Sequence, residues 1–296
     1  MQKNDRKKMG WQGRGWCILL LLGVATLLQV WSSATISHAR TASATLAVQQ
    51  EVQQLQQQLQ QEVSDWGAQN LYNDSYDGQT YSADYEYNNQ QGIGGSLWLQ
   101  GELRGHPTLA GYRQAAANLQ MWLYNFQEMA ANATDTTPYD QPHQADRDLL
   151  QHYGDMNKRA VIISLGEQAL RAYDHGNLVN AILVTTGEPA LPTPPGNWSV
   201  GSKLHPTTFR SNAPKKSPSW YAPTRINYAM QYHSNGYFLH DAWWRTQFGP
   251  ETNYPHQDPN GDPFASQGSH GCVNMSLSDA TWLYNFVSSG TPVIIY

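Results

Sequence analysis

The change of hydrophobic period near Arg159 constrains this chain more than any other feature of its 296 residues. Upstream, Val48, Val52, Leu55, Leu59, Val63 and Trp66 recur every three or four residues, which predicts a helix with one apolar stripe. Leu109, Tyr112, Ala116, Leu119, Leu123, Phe126 and Ala130 predict a second such helix, with Pro107 in its first turn. Two seams of this kind can bury each other as a helical hairpin. A short third helix is predicted over Ala145–Tyr153. Residues 67–95 are rich in Tyr, Asn, Asp and Gly without a lasting period and read as a loop or extended linker.

Downstream of Arg159 the pattern is that of strands. Val161–Leu165, Ala169–Tyr173 and Leu178–Thr185 are β-rich, with Asp174-His175-Gly176-Asn177 as a hairpin turn. Thr186–Gly196 is a rigid, proline-rich loop, and Tyr237-Phe238-Leu239 is a short strand ending at His240. Ser276 with Asp279 three residues on resembles a capping box. The helix it opens, Leu277–Ser288, stops at Gly290 and Pro292, and Val293–Tyr296 closes as a strand. The chain thus divides into residues 1–39, residues 40–158 as a helical stalk or spacer, and residues 159–296. The last is expected to be a mainly β, sandwich-like domain with a helix after Cys272.

Residues 1–39 carry Lys3, Arg6, Lys7, Lys8 and Arg14 against Asp5, followed by an apolar run from Trp16 to Trp31. This is the layout of a signal peptide or a membrane anchor, with the body outside the cytoplasm. Ser37-His38-Ala39 offers a small-x-small cleavage site, whereas the lack of a strong site beside the run favours an anchor. Of the 18 basic and 23 acidic residues, 13 basic and 22 acidic ones lie beyond residue 39. So acidic a body excludes a phosphate-backbone partner, because nucleic-acid affinity rests on Lys and Arg.

The chain has two cysteines. Cys17 lies in the export segment and cannot pair with Cys272, so the exported body holds one unpaired thiol, which points to a working group. A lone Cys is most often a small buried hydrophobe. Cys272, however, sits in Ser269-His270-Gly271-Cys272-Val273-Asn274. A neighbouring imidazole can take a thiol proton, and a glycine lets main-chain N–H groups approach a reacting carbonyl. These residues sketch an acyl-transfer site.

With these motifs in order, the segment from Arg159 to Tyr296 resembles the L,D-transpeptidases, cysteine-dependent enzymes of peptidoglycan. The resemblance rests on the opening hairpin, on Pro192-Thr193-Pro194-Pro195-Gly196, on the strand ending in His240, and on Ser269–Asn274. It implies that Cys272 is the nucleophile and His240 the general base, oriented through the main-chain carbonyl of Asp241. It further implies an oxyanion hole from the main chain of Gly271 and Cys272 with His270, and places Ser269 and Asn274 close to the thiol. The implied reaction cross-links stem peptides with release of D-Ala, serving cell-wall biogenesis and cell shape, and needs no metal or cofactor. Residues 241–268 form a longer gap than the family usually shows and read as an enlarged lid. Within or near it, His256 and His233 compete with His240 as the base; His240 is preferred because a strand end fixes its direction.

Three other readings remain. An exported cysteine amidase or peptidase of papain type would place Cys before His, whereas here no histidine follows Cys272. A zinc site from His240, His270 and Cys272 lacks paired ligand spacing. A non-enzymatic wall-binding protein accounts for the helical half and leaves the cysteine motif unused.

Overall fold

A computed structural model describes residues 15–88, 108–217 and 220–296, with side chains from residue 40 onward. The expected cleavage site at residues 37–39 and the Pro107 turn lie outside the described side chains. Helix α1 spans Gly15–Gly67 and α2 spans Leu109–Asn132. Thr108 caps α2, its hydroxyl accepting from the Gly111 N–H at 3.1 Å. Among the described residues no helix is long and apolar enough to cross a membrane.

The two predicted seams do meet. Val52, Leu59 and Val63 of α1 are buried with Leu119, Trp122 and Phe126 of α2. The ties Gln120–Glu51 (3.1 Å) and Gln127–Glu62 (2.9 Å) climb both helices in the same direction. The pair is therefore parallel, where a hairpin would be antiparallel; the long connection between the helices allows it. Its described residues, 68–88, include a strand pair. Strands β1 (Leu71–Asn73) and β2 (Thr80–Ser82) pair antiparallel, and Tyr85, Glu86 and Tyr87 behind them are buried. A linker reading misses this, because its order comes from aromatic packing on distant residues rather than from any local period.

The segment after α3 (Gln144–His152) builds two sheets. One has the order β5-β4-β3-β13-β6, formed by Asn177–Leu183, Ala169–Asp174, Arg159–Ser164, Pro292–Ile295 and Gly196–Ser199. The chain's last strand thus inserts beside its first, parallel to it, with Val293 opposite Val161. These central strands are buried on both faces, which is why they read as continuous apolar runs. The second sheet has the order β12-β11-β10-β7, formed by Val273–Met275, Tyr237–Asp241, Ala229–His233 and Lys203–Leu204. A small pair, β8 (Thr207–Phe209) with β9 (Thr224–Ile226), stands apart. Helix α4 spans Leu277–Phe286 and is capped by Ser276: its hydroxyl accepts from the Asp279 N–H at 3.1 Å and donates to the Asp279 carboxylate at 2.6 Å, which is the first half of the expected capping box.

Residues 109–158 are not a detached spacer. Asn125 on α2 donates to the Ile295 carbonyl at 2.8 Å and accepts from the Tyr153 hydroxyl at 2.6 Å. From α3, Asp146 meets Arg171 on β4; both are fully buried. Tyr173 donates to the same carboxylate at 2.6 Å, and Tyr296 joins both ions at 2.8 and 2.9 Å. A charge so deep in a protein is tolerable only when paired and hydrogen-bonded. The helices thus supply one of two counter-ions for a cation inside the β domain, the other being Glu167, 2.9 Å from the guanidinium.

Two outcomes follow from this buried pair. Asp146→Ala should lower unfolding stability by about 3 kcal/mol, because it leaves the buried guanidinium with Glu167 alone and its Nε–H unpaired; denaturant titration checks it. A fragment beginning near Asp155, expected from sequence to fold alone, should instead show no cooperative unfolding transition by circular dichroism.

Candidate active site

The site is assembled by one parallel strand pair. Strand β11 ends with His240, and β12 begins one residue after Cys272; the register sets His240 opposite Asn274. In-register residues of a parallel pair project to one face, and residues two apart on a strand share a face. His240, Asn274 and Cys272 therefore gather on one side, while Leu239 and Val273 turn into the core. All three line a cavity of about 400 Å³, walled by Phe209, Tyr221, Trp243, Trp244 and Phe264.

His240 is buried, and its Nδ1 lies 2.9 Å from the Asp241 carbonyl. A carbonyl only accepts, so Nδ1 carries the hydrogen and Nε2 keeps the lone pair. The Asp241 carboxylate faces away from the imidazole. It accepts from the main-chain N–H groups of Asn227 (2.9 Å) and Tyr228 (2.7 Å), which fixes the strand end. The ring of Phe209 stands edge-on to the imidazole, with Trp244 farther out. Nε2 lies 3.0 Å from the Asn274 amide nitrogen.

Around the thiol the backbone is turned tightly. Gly271 has φ +98°, and a Cβ there would fall 2.5 Å from the Tyr237 ring, so only glycine fits. The Gly271 carbonyl accepts from the Thr193 hydroxyl at 3.0 Å and from the Tyr232 hydroxyl at 3.3 Å. Thr193 in turn accepts from the Gly187 N–H at 2.8 Å. The proline loop is thus a brace for the cysteine turn. Ser269 closes that turn, donating to the Cys272 carbonyl and accepting from the Gly271 N–H at 3.0 Å. That last bond corrects one expectation. The Gly271 N–H is committed to Ser269, so it is not a waiting oxyanion donor. His270 is half-buried with its ring near Tyr221, and it lines the cavity.

The rival bases stand elsewhere. His256 turns Nδ1 to the Tyr254 carbonyl at 2.9 Å, and His233 packs edge-on against Trp198. Neither lines the cavity. Among the described residues, no group of three or more His, Cys, Asp or Glu could hold a metal.

Sequence reasoning missed Arg245 and Tyr85. Arg245 is buried in the long segment after β11; it donates to the Asn274 oxygen at 3.0 Å and to the Ala265 carbonyl at 3.0 Å. Tyr85 reaches in from the N-terminal half. Its hydroxyl donates to the Gly187 carbonyl at 2.6 Å and accepts from Asn253 at 2.8 Å. Nearby, Tyr72 stacks on Tyr254 with centroids 4.2 Å apart. The expected lid is therefore bolted to the segment expected to be a linker. No local signal marks either residue; each acts through partners remote in the chain.

Burial sets the charge state. It pushes the Cys272 thiol up to about 11, against a smaller opposing pull from the Phe238 main chain. It pushes His240 down to about 4, opposed by its bond to the Asp241 carbonyl. The resting pair at neutral pH is a thiol and a neutral imidazole, not an ion pair. Alkylation of Cys272 by iodoacetamide, followed by peptide mapping, should therefore accelerate from pH 7 towards about 11 rather than level off near the ordinary thiol range.

Comparison with known proteins gives one answer. Residues 158–295 match the model of the YkuD L,D-transpeptidase catalytic domain. Probable L,D-transpeptidase 3 of Mycobacterium tuberculosis is 32% identical over 112 residues, covering 37% of this chain and 36% of that protein. L,D-transpeptidase 2 of the same species is 30% identical over 122 residues, covering 40% of this chain and 26% of that protein. The chain thus spans well under half the length of these relatives. Among solved structures, an L,D-transpeptidase from Mycobacterium smegmatis aligns with a TM-score of 0.38 at 23% identity, covering 47% of this chain and 58% of that one. One from Enterococcus faecium aligns with a TM-score of 0.39 at 24% identity, covering 47% and 50%. Residues 158–295 are thus similar over their whole length to the L,D-transpeptidase catalytic domain.

Proposed function

We propose that the chain cross-links peptidoglycan stem peptides by cysteine acyl transfer in the cell envelope. The observation that carries this is the lone-pair nitrogen of His240, fixed by the Asp241 carbonyl, in the cavity that also exposes Cys272. The basic and apolar N-terminus, as leader or anchor, would bring the acidic body outside the cytoplasm.

Cys272 is the nucleophile and His240 the general base. The Sγ proton passes to Nε2 as sulfur attacks the carbonyl between the third residue of a tetrapeptide stem and its terminal D-Ala. Proton transfer during attack suits a thiol held neutral by burial. The Cys272 N–H, beside the carbon under attack, meets the developing oxyanion. His240 then protonates the departing D-Ala nitrogen, and a thioester remains. A side-chain amine of a second stem attacks the thioester and gives its proton to His240. The C–S bond breaks, and the thiol regains its proton from the imidazolium. Metal and cofactor have no part in these steps.

A carbapenem tests the reading without an acceptor, because its strained carbonyl needs only the thiol, the base and the oxyanion donors. The full chain should gain one adduct mass at Cys272, and Cys272→Ser should gain none. An adduct elsewhere, or an unchanged mass, contradicts the assignment. Release of only water-hydrolysed fragments from a disaccharide-tetrapeptide would favour the amidase reading.

His240→Ala should slow this acylation by about 10²–10⁴-fold, whereas His256→Ala and His233→Ala should leave it near the unmodified rate. The acid limb should lie near His240's value of about 4, not in the ordinary imidazole range. Below that value the base is protonated and acylation falls; stopped-flow fluorescence across pH 3–8 checks it.

A further inference from the structure

We propose that Arg245 is a positioning residue of this site, acting through Asn274 to keep Nε2 of His240 occupied and the imidazole neutral in the resting protein. The inference rests on the proposed role of His240 and is argued from hydrogen-bond direction, with the Arg245 charge beside it.

Each bond in the chain fixes the next. A guanidinium can only donate, so Arg245 Nε at 3.0 Å must face the oxygen of the Asn274 amide. This settles the amide orientation and turns its NH₂ towards His240, 3.0 Å from Nε2. At the other end the Asp241 carbonyl accepts from Nδ1–H, so Nε2 is an acceptor and the two ends agree. A protonated imidazole would set N–H against NH₂, with no acceptor between them. The imidazolium therefore forms only when Asn274 yields, and Arg245 resists that by holding the amide oxygen.

The charges around His240 pull both ways. On its own strand, the Asp241 carboxylate favours the imidazolium, but it is held by the Asn227 and Tyr228 main chains and the Asn227 amide. From the following segment comes the Arg245 cation, which opposes a second positive charge on the imidazole. From the β12 side come the Cys272 thiol and the neutral Asn274 amide. From β8, Phe209 offers only its ring edge. Arg225, Asp262 and His270 line the same cavity. Arg245 is itself held by the Ala265 carbonyl, with its charge answered by Asp258, Asp262 and Glu188. In the resting state the thiol faces the Gly236 carbonyl at 4.0 Å. Substrate entry must therefore exchange the Asn274–Nε2 bond for a thiol–Nε2 bond before the base can work.

The test is a titration of the full chain carrying ¹³C-labelled histidine, with the His240 signal identified by its loss in His240→Gln. Arg245→Met should raise the His240 midpoint by about one pH unit or more, since a like charge and the lock on the amide are both removed. Asn274→Asp should raise it further, by about one to three units, because a carboxylate oxygen now accepts from Nε2–H. Arg245→Gln keeps a donor without the charge and replaces Arg245→Met if that variant does not fold. Folded variants whose His240 midpoint matches the unmodified protein would overturn the proposal. The titration needs no acylation. Shifted midpoints in a protein that no carbapenem acylates would sink the reaction and keep the relay; acylation with unmoved midpoints would do the reverse.

Discussion

The parallel pairing of Tyr237–Asp241 with Val273–Met275 is the constraint on which the site depends. It brings together two strands separated by more than thirty residues of chain, and its register alone decides that His240 meets Asn274. A slip of one residue would send His240 to the core face and Leu239 to the cavity. The surrounding devices hold that register against slippage. The Asp241 carboxylate grips the preceding turn, and the two main-chain bonds between Thr185 and Asn274 tie β12 to the proline loop. The Gly271 turn, in a left-handed conformation that glycine adopts freely, is fixed by Ser269, Thr193 and Tyr232.

The helical half belongs to this construction. Arg171, buried in the five-stranded sheet, has its main counter-ion on α3, and the closing strand has a carbonyl capped from α2. Tyr85 touches both the Thr186–Gly187 loop and the long segment after His240. Breaking one partner of such a network costs more than the network contributes as a whole, because the survivor is left buried and unsatisfied. The β domain is thus defined by its own strands and completed by residues that precede it.

Much of this was legible in the sequence, and the limits have physical causes. Helical seams and β runs announce themselves because burial imposes a period, so Val52–Trp66, Leu109–Ala130 and Val161–Leu165 were readable. The Ser276 cap was readable because its bonds span three residues. That His240 and Cys272 would share one cavity was readable through a resemblance carried by adjacent residues. Arg245, Tyr85 and Asp146 were not, since each earns its place through a partner between 25 and 168 positions away. Nor could spacing reveal that the Gly271 N–H is spent on Ser269, which is a matter of one rotamer. Helix direction was equally hidden: a stripe shows which face is buried, not which way the neighbour runs.

The stack of Tyr72 on Tyr254, with the Tyr85–Asn253 bond beside it, has a consequence for how the protein opens. The β1–β2 hairpin is short and largely exposed, so it stands among the first parts to open locally. Because the cavity's long flanking segment leans on that hairpin, the two form one cooperative unit. A single fluctuation in a surface ribbon would then loosen a wall of the cavity while both sheets stay intact. The firmness of that wall is thereby tied to tyrosines more than a hundred and fifty residues upstream of the thiol.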